Sequence, residues 1–176
     1  MHPARGAGKG SRRHPYKLAV AHAPWPGTLA SMHPYPHVYR AMASAGPGGS
    51  VAVDSKGVPR LDSAPPPEFD GPGDLWSPET LLVAAMADCF VLTFRAFSRA
   101  SKFDWNTLEC RVEGVLERVE GVTRFSSFAT YATLTVPAAA DRARAGQLLE
   151  KAERGCLISN SVLGARSLET QVLTAP

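Results

Sequence analysis

Between Trp76 and Ser101 the chain has no glycine and only one proline, Pro78. Its opening carries a full set of helix-start signals. Ser77 is placed to cap, Pro78 suits the first helical position, and Glu79 puts an acid in the first turn. Trp76 and Leu81 occupy the two positions that staple such a cap. Downstream, Leu82, Ala85, Met86, Cys89, Phe90, Thr93, Phe94 and Phe97 recur at helical spacing, and the opposite face is also largely apolar. A helix apolar nearly all round must be buried on most sides. The pattern therefore predicts a central helix ending near Ser101, with the rest of the chain built around it.

The flanking sequence supplies strands. Val38–Met42 and Ser50–Val53 read as two short strands around a Gly46–Gly49 turn, and Asp62–Gly73, with three consecutive prolines, reads as a loop. Leu108, Cys110, Val112, Gly114 and Leu116 alternate with charged residues, the mark of a strand with one wet face. Glu120 and Gly121 form a hairpin turn, and a long strand returns from Val122 to Val136. Asp141–Arg154 is a second, amphipathic helix with Gly155 as its expected C-cap. Ser167–Leu173 is a last strand. The order β-β-α-β-β-α-β predicts an α+β fold, a sheet packed on one central helix.

The net charge of +3 could suggest a nucleic-acid partner, but its distribution argues against one. Residues 1–31 hold Arg5, Lys9, Arg12, Arg13, Lys17 and no acid, which leaves 14 basic and 16 acidic side chains in residues 32–176. The basic character belongs to a Pro- and Gly-rich N-terminal stretch, read as a disordered extension (1–31) ahead of a folded domain (32–176). Ser11-Arg12-Arg13 loosely matches a twin-arginine signal, but the following apolar stretch, Leu18–Ala21, is shorter than the roughly seven residues an export signal requires. The longest unbroken apolar run, Leu81–Ala87, is far below the roughly 18 residues of a membrane span. The reading is a cytoplasmic protein with neither nucleic-acid nor membrane partners.

Three cysteines, Cys89, Cys110 and Cys156, form no C-x-x-C pair, and all five histidines precede residue 38. No metal or cofactor is expected, and the thiols are expected to be free or redox-active. Cys89 can be read as a packed core thiol or as a redox nucleophile. In mid-helix beside Asp88 it gets no help from the helix N-terminus, so reactivity would require a cation from elsewhere. Cys156, directly after the second helix, is expected to be mobile enough to approach a partner. Cys110, on the apolar face of a strand, reads as inert packing.

Ser77-Pro78-Glu79-Thr80-Leu81 followed by Ala84-Ala85-Met86-Ala87-Asp88-Cys89 resembles the signature of the OsmC/Ohr family, the osmotically inducible and organic hydroperoxide resistance proteins. In that family the helix begins (N/S)-P-E-x-L and reaches its reactive cysteine ten residues after the Glu. Lys151–Cys156 with Ser159-Asn160 is similar to the family's second cysteine block, and the likeness spans roughly residues 32–176. The resemblance implies an OsmC-like fold, with antiparallel sheets wrapped around long central helices in an intertwined homodimer. It also implies a two-cysteine peroxidase in oxidative-stress defence. Cys89 would attack a small apolar hydroperoxide, Cys156 would close a disulfide with the resulting sulfenic acid, and an external dithiol would reset it. Met86, Phe90 and Phe94 around Cys89 favour organic peroxides over hydrogen peroxide.

Ten helical residues rise about 15 Å, so Glu79 and Cys89 of one straight helix cannot share a site. Either Glu79 reaches Cys89 from a second subunit, or it is only a favourable first-turn acid. Where the family carries an arginine ahead of the helix, this chain has Glu68 and Asp70; Arg40 and Arg60 are the nearest upstream substitutes. The alternative function is a non-catalytic domain of the same fold, binding a small apolar ligand at the dimer interface.

Overall fold

The computed structural model describes residues 33–175, so the reading of residues 1–31 as an extension lies outside the described residues. All the elements belong to the compact unit that begins at Pro36. Three short strands come first: β1 (Met42–Ser44), β2 (Val51–Asp54) and β3 (Leu61–Ser63), antiparallel in that order. The first begins at Met42, where the expected strand ended, and the third falls where a loop was expected. Strands of three residues are too short to show alternation. Leu61–Ser63 is defined by its pairing with β2, Val51 lying opposite Ser63.

Helix α1 (Pro78–Ala100) opens on Ser77 as expected. Thr80, not an acid, completes the capping box: its N–H donates to Ser77 Oγ at 3.2 Å, and the Ser77 N–H donates to Thr80 Oγ1 at 2.8 Å. Just ahead of the cap, the Ala64 N–H donates to the Trp76 carbonyl at 2.9 Å, tying the small sheet to the helix start.

Two long strands, β4 (Thr107–Val119) and β5 (Val122–Val136), form a hairpin through Glu120 and Gly121, both at positive φ. Helix α2 (Arg142–Gly155), capped by Asp141, then carries the chain over to β6 (Ala165–Thr174). That crossover makes β6 parallel to β5, so the second sheet, β4-β5-β6, is mixed rather than wholly antiparallel. Phe90, Phe94, Leu134, Val136, Leu149 and Ala152 form the core between this sheet and the helices. Phe94 meets Trp105 edge to face at 5.4 Å. Gly155 is not a cap; it is the last helical residue, and Cys156 follows it at φ −68. A Cβ on Gly155 would stand 2.9 Å from the Phe97 ring, so glycine here lets α2 close onto α1.

The expectation that α1 is buried on most sides does not hold for the single chain. Its fully buried residues, Met86, Phe90, Phe94 and Ser98, make one stripe at i, i+4 spacing toward α2 and β4. An 18-residue window of this helix has mean hydropathy 1.7, yet 17% of it is buried. By length and composition α1 is apolar enough to cross a membrane. The sequence reading missed this because it counted unbroken runs, which Asp88 and Arg95 interrupt. One chain can cover only one side of such a helix.

Candidate active site

Cys89 lies in the middle of α1, half-buried, with its sulfur 3.9 Å from Thr93 Oγ1 one turn on. The end of α2, closed onto α1 at Gly155, brings Cys156 to the same place. Cys156 is completely buried, its sulfur 3.9 Å from the Met86 carbonyl of α1. Ser159 fixes it from the other side: its hydroxyl donates to the Cys156 sulfur at 3.1 Å and its N–H at 3.5 Å. The expected mobility of Cys156 is therefore corrected. The thiol is held inside the core against the Met86 carbonyl of α1 by a serine three residues downstream.

Burial pushes the Cys156 pKa above the ordinary thiol value. The two Ser159 donors pull the other way because they favour the thiolate, while the hydrogen bond and charge of Cys89 push it further up. Met86, whose carbonyl the Cys156 sulfur faces, stands one helical turn before Cys89 in the same chain. Cys110, half-buried on the inner face of β4, is raised to about 12, first by burial and then by Glu153 and Cys156. It is a thiol at neutral pH and a poor nucleophile, as packing material would be.

Glu153 escaped the sequence reading. It sits on α2 with both carboxylate oxygens shielded and without a hydrogen-bond partner, 3.6 Å from Arg166 Nη1. Its pKa is raised, mainly by burial, with Arg166 opposing. Nothing in an amphipathic pattern marks one Glu of a charged helix as buried. Ser159 was more legible, three residues after a cysteine at a helix end, though only the fold gives it a role.

Glu79 stands in the first turn of α1, about 15 Å along the helix from Cys89. It lines two adjoining hollows, and its Oε2 is shielded from solvent without a hydrogen-bond partner. Arg60 is exposed and bound to Asp62 at 2.9 Å, and the Arg40 carbonyl accepts a bond from Ser55. Among the described residues, no ion pair or hydrogen bond joins either arginine to Cys89. Among the same residues no group of three His, Cys, Asp or Glu side chains is placed to hold a metal ion. His2, His14 and His22 lie outside them.

A helix-borne thiol met by a second thiol at the end of the next helix, under a mixed sheet, defines a thiol-bearing α+β domain. The family model for OsmC-like protein matches residues 71–171, and the chain belongs to that family. It is 29% identical to the uncharacterized protein YmaD of Bacillus subtilis over 60% of this chain and 73% of that one. Its structure is similar to that of an OsmC-like protein of unknown function from Vibrio cholerae, with a TM-score of 0.71 at 14% identity over 77% of this chain and 99% of the other. It is also similar to an organic hydroperoxide resistance protein from Legionella pneumophila, with a TM-score of 0.63 at 26% identity over 80% and 99% of the two chains.

Proposed function

We propose that this OsmC-like protein is a cytoplasmic, homodimeric thiol peroxidase acting on small organic hydroperoxides. The Cys89 thiolate attacks the terminal peroxide oxygen, the O–O bond breaks, and the alcohol leaves with a proton as Cys89 becomes a sulfenic acid. Cys156 then displaces hydroxide from that sulfur, forming the Cys89–Cys156 disulfide and water. An external dithiol returns both thiols by exchange and is itself oxidised. The observation that carries this reading is the Cys156 sulfur, buried against the Met86 carbonyl of α1 one helical turn from the half-buried Cys89.

Glu79 belongs to the same site only in a dimer. An antiparallel partner helix brings Glu79 of the partner subunit level with Cys89 when the two-fold axis passes near residue 84, midway between them. Ala84 and Ala85 stand there, small enough for two helices to approach closely.

The test is stopped-flow oxidation of the reduced protein by cumene hydroperoxide. Wild type is expected to react far faster than a free thiol, Cys89→Ser not to react, and Cys156→Ser to stop at the sulfenic acid. A wild-type rate no faster than free cysteine would end the peroxidase reading. It would favour the second one, a non-catalytic binder of a small apolar ligand at the dimer interface. That alternative is supported by the apolar hollows at Glu79 and by the acids Glu68 and Asp70 where an activating arginine is expected.

A further inference from the structure

Helix α2 ends where Cys156 begins, and the last carbonyls of a helix have no partner within it. Asn160 supplies one. Its side-chain Nδ2 donates to the Arg154 carbonyl at 3.1 Å, and its backbone N–H donates to the Cys156 carbonyl at 3.0 Å. The short turn that carries Ser159 (Ser159–Ser161) is thereby folded back onto the helix end. The other atom of the same carboxamide is held from β6, where Arg166 Nη1 donates to Asn160 Oδ1 at 3.0 Å. Arg166 is itself well placed to anchor. It lies opposite Phe128 in the β5–β6 register. A Cβ on Gly164 would stand 3.0 Å from the Phe128 ring, so the chain enters β6 pressed against the core. Arg166 Nη1 also faces Glu153 at 3.6 Å, the shielded carboxylate of α2 that has no hydrogen-bond partner. One guanidinium thus answers a charge on α2 and grips the Cys156 turn.

We propose that Asn160 and Arg166 are positioning residues for Cys156. Arg166 ties the Asn160 side chain to β6, and Asn160 pins the turn to α2. The Ser159 hydroxyl and N–H then stay on the Cys156 sulfur, and the sulfur stays against the Met86 carbonyl of α1. The part this hold plays in turnover rests on Cys156 being the resolving thiol, as proposed above. The hold itself is present with both thiols free.

The test is iodoacetamide alkylation of the full-length Cys89→Ser protein across pH, resolved by peptide mass, so that neither peroxide nor Cys89 takes part. The high-pH plateau reads access to Cys156, the midpoint reads its pKa, and Cys110 on β4 reads opening of the whole fold. Asn160→Ala is expected to raise the Cys156 plateau roughly tenfold, the scale of losing two side-chain hydrogen bonds from a local opening. Its midpoint should fall, because burial is the largest cause of the raised pKa and water reaching the sulfur relieves it. The Cys110 profile should stay where it is. Arg166→Met, made together with Glu153→Gln so that no shielded carboxylate loses its counter-charge, is expected to shift Cys156 the same way relative to Glu153→Gln alone. Adding Asn160→Ala to that pair should then raise the plateau no further than Asn160→Ala does, since the arginine acts through that side chain. An unchanged plateau in Asn160→Ala, a midpoint that rises, or a plateau that climbs together with that of Cys110 would overturn the proposal. Additive increments would overturn the part given to Arg166. Slow oxidation of the wild type by hydroperoxide would end the peroxidase reading and leave these alkylation profiles as they are.

Discussion

Ser159 places two donors on the Cys156 sulfur, its hydroxyl at 3.1 Å and its N–H at 3.5 Å, in a site with no exposure to water. Burial raises the pKa of Cys156, and these donors offset part of that rise. Ser159→Ala removes the stronger donor and raises the pKa further. Each added pKa unit lowers the thiolate fraction tenfold but makes the remaining thiolate more nucleophilic, so closure slows by roughly threefold per unit. Rapid-quench measurement at pH 7 is expected to show slower Cys89–Cys156 closure in Ser159→Ala, with the first attack on hydroperoxide unchanged. Because the pKa is raised, closure in wild type should keep accelerating as pH climbs past the ordinary thiol range. Equal closure rates in the two proteins would mean that the hydroxyl does not tune the sulfur.

At the scale of elements, α1 depends on how it starts. Ser77 is buried and exchanges both capping-box bonds with Thr80. Ser77→Ala should cost about 1 kcal/mol, read as a lower urea midpoint with an unchanged slope. Thr80→Val, which removes the reciprocal acceptor, should cost a similar amount. No change in either would mean that packing alone holds the first turn. This cap was legible in the sequence because Ser77, Pro78 and Glu79 each favour one position and agree. The long strands were legible too, through the alternation from Leu108 to Leu116 and the turn at Glu120-Gly121. The three-residue strands β1 and β3 were not, since pairing with β2 and not local preference defines them. The parallel setting of β6 depends on where α2 crosses, and its Ser167–Leu173 pattern reads the same in either direction. At the site, the two cysteine blocks marked Cys89 and Cys156, but the burial of Cys156 depends on Gly155 letting α2 reach Phe97. No residue of the α2 block announces that contact.

For the whole molecule, α1 is more apolar than its burial in one chain accounts for. Leu92 is 47% exposed, Tyr39 ahead of the small sheet is 88% exposed, and Met42 at the start of β1 is 63% exposed. In the proposed dimer a second copy would cover this face of a helix more apolar than one chain buries. Ala85, exposed and next to the midpoint of Glu79 and Cys89, is where a large charged side chain should separate the copies without disturbing either core. In light scattering, wild type is expected at twice the 18.8 kDa chain mass across a wide concentration range, and Ala85→Arg at the single-chain mass. The proposed Cys89–Cys156 disulfide would lie within one chain, so oxidation of Ala85→Arg should still form it, whereas any rate contribution of Glu79 should vanish with the dimer. Glu79→Gln would then slow wild type but leave Ala85→Arg unchanged, a non-additivity that separates a shared site from a first-turn acid. A wild-type protein that is monomeric at every concentration would remove Glu79 from the Cys89 site.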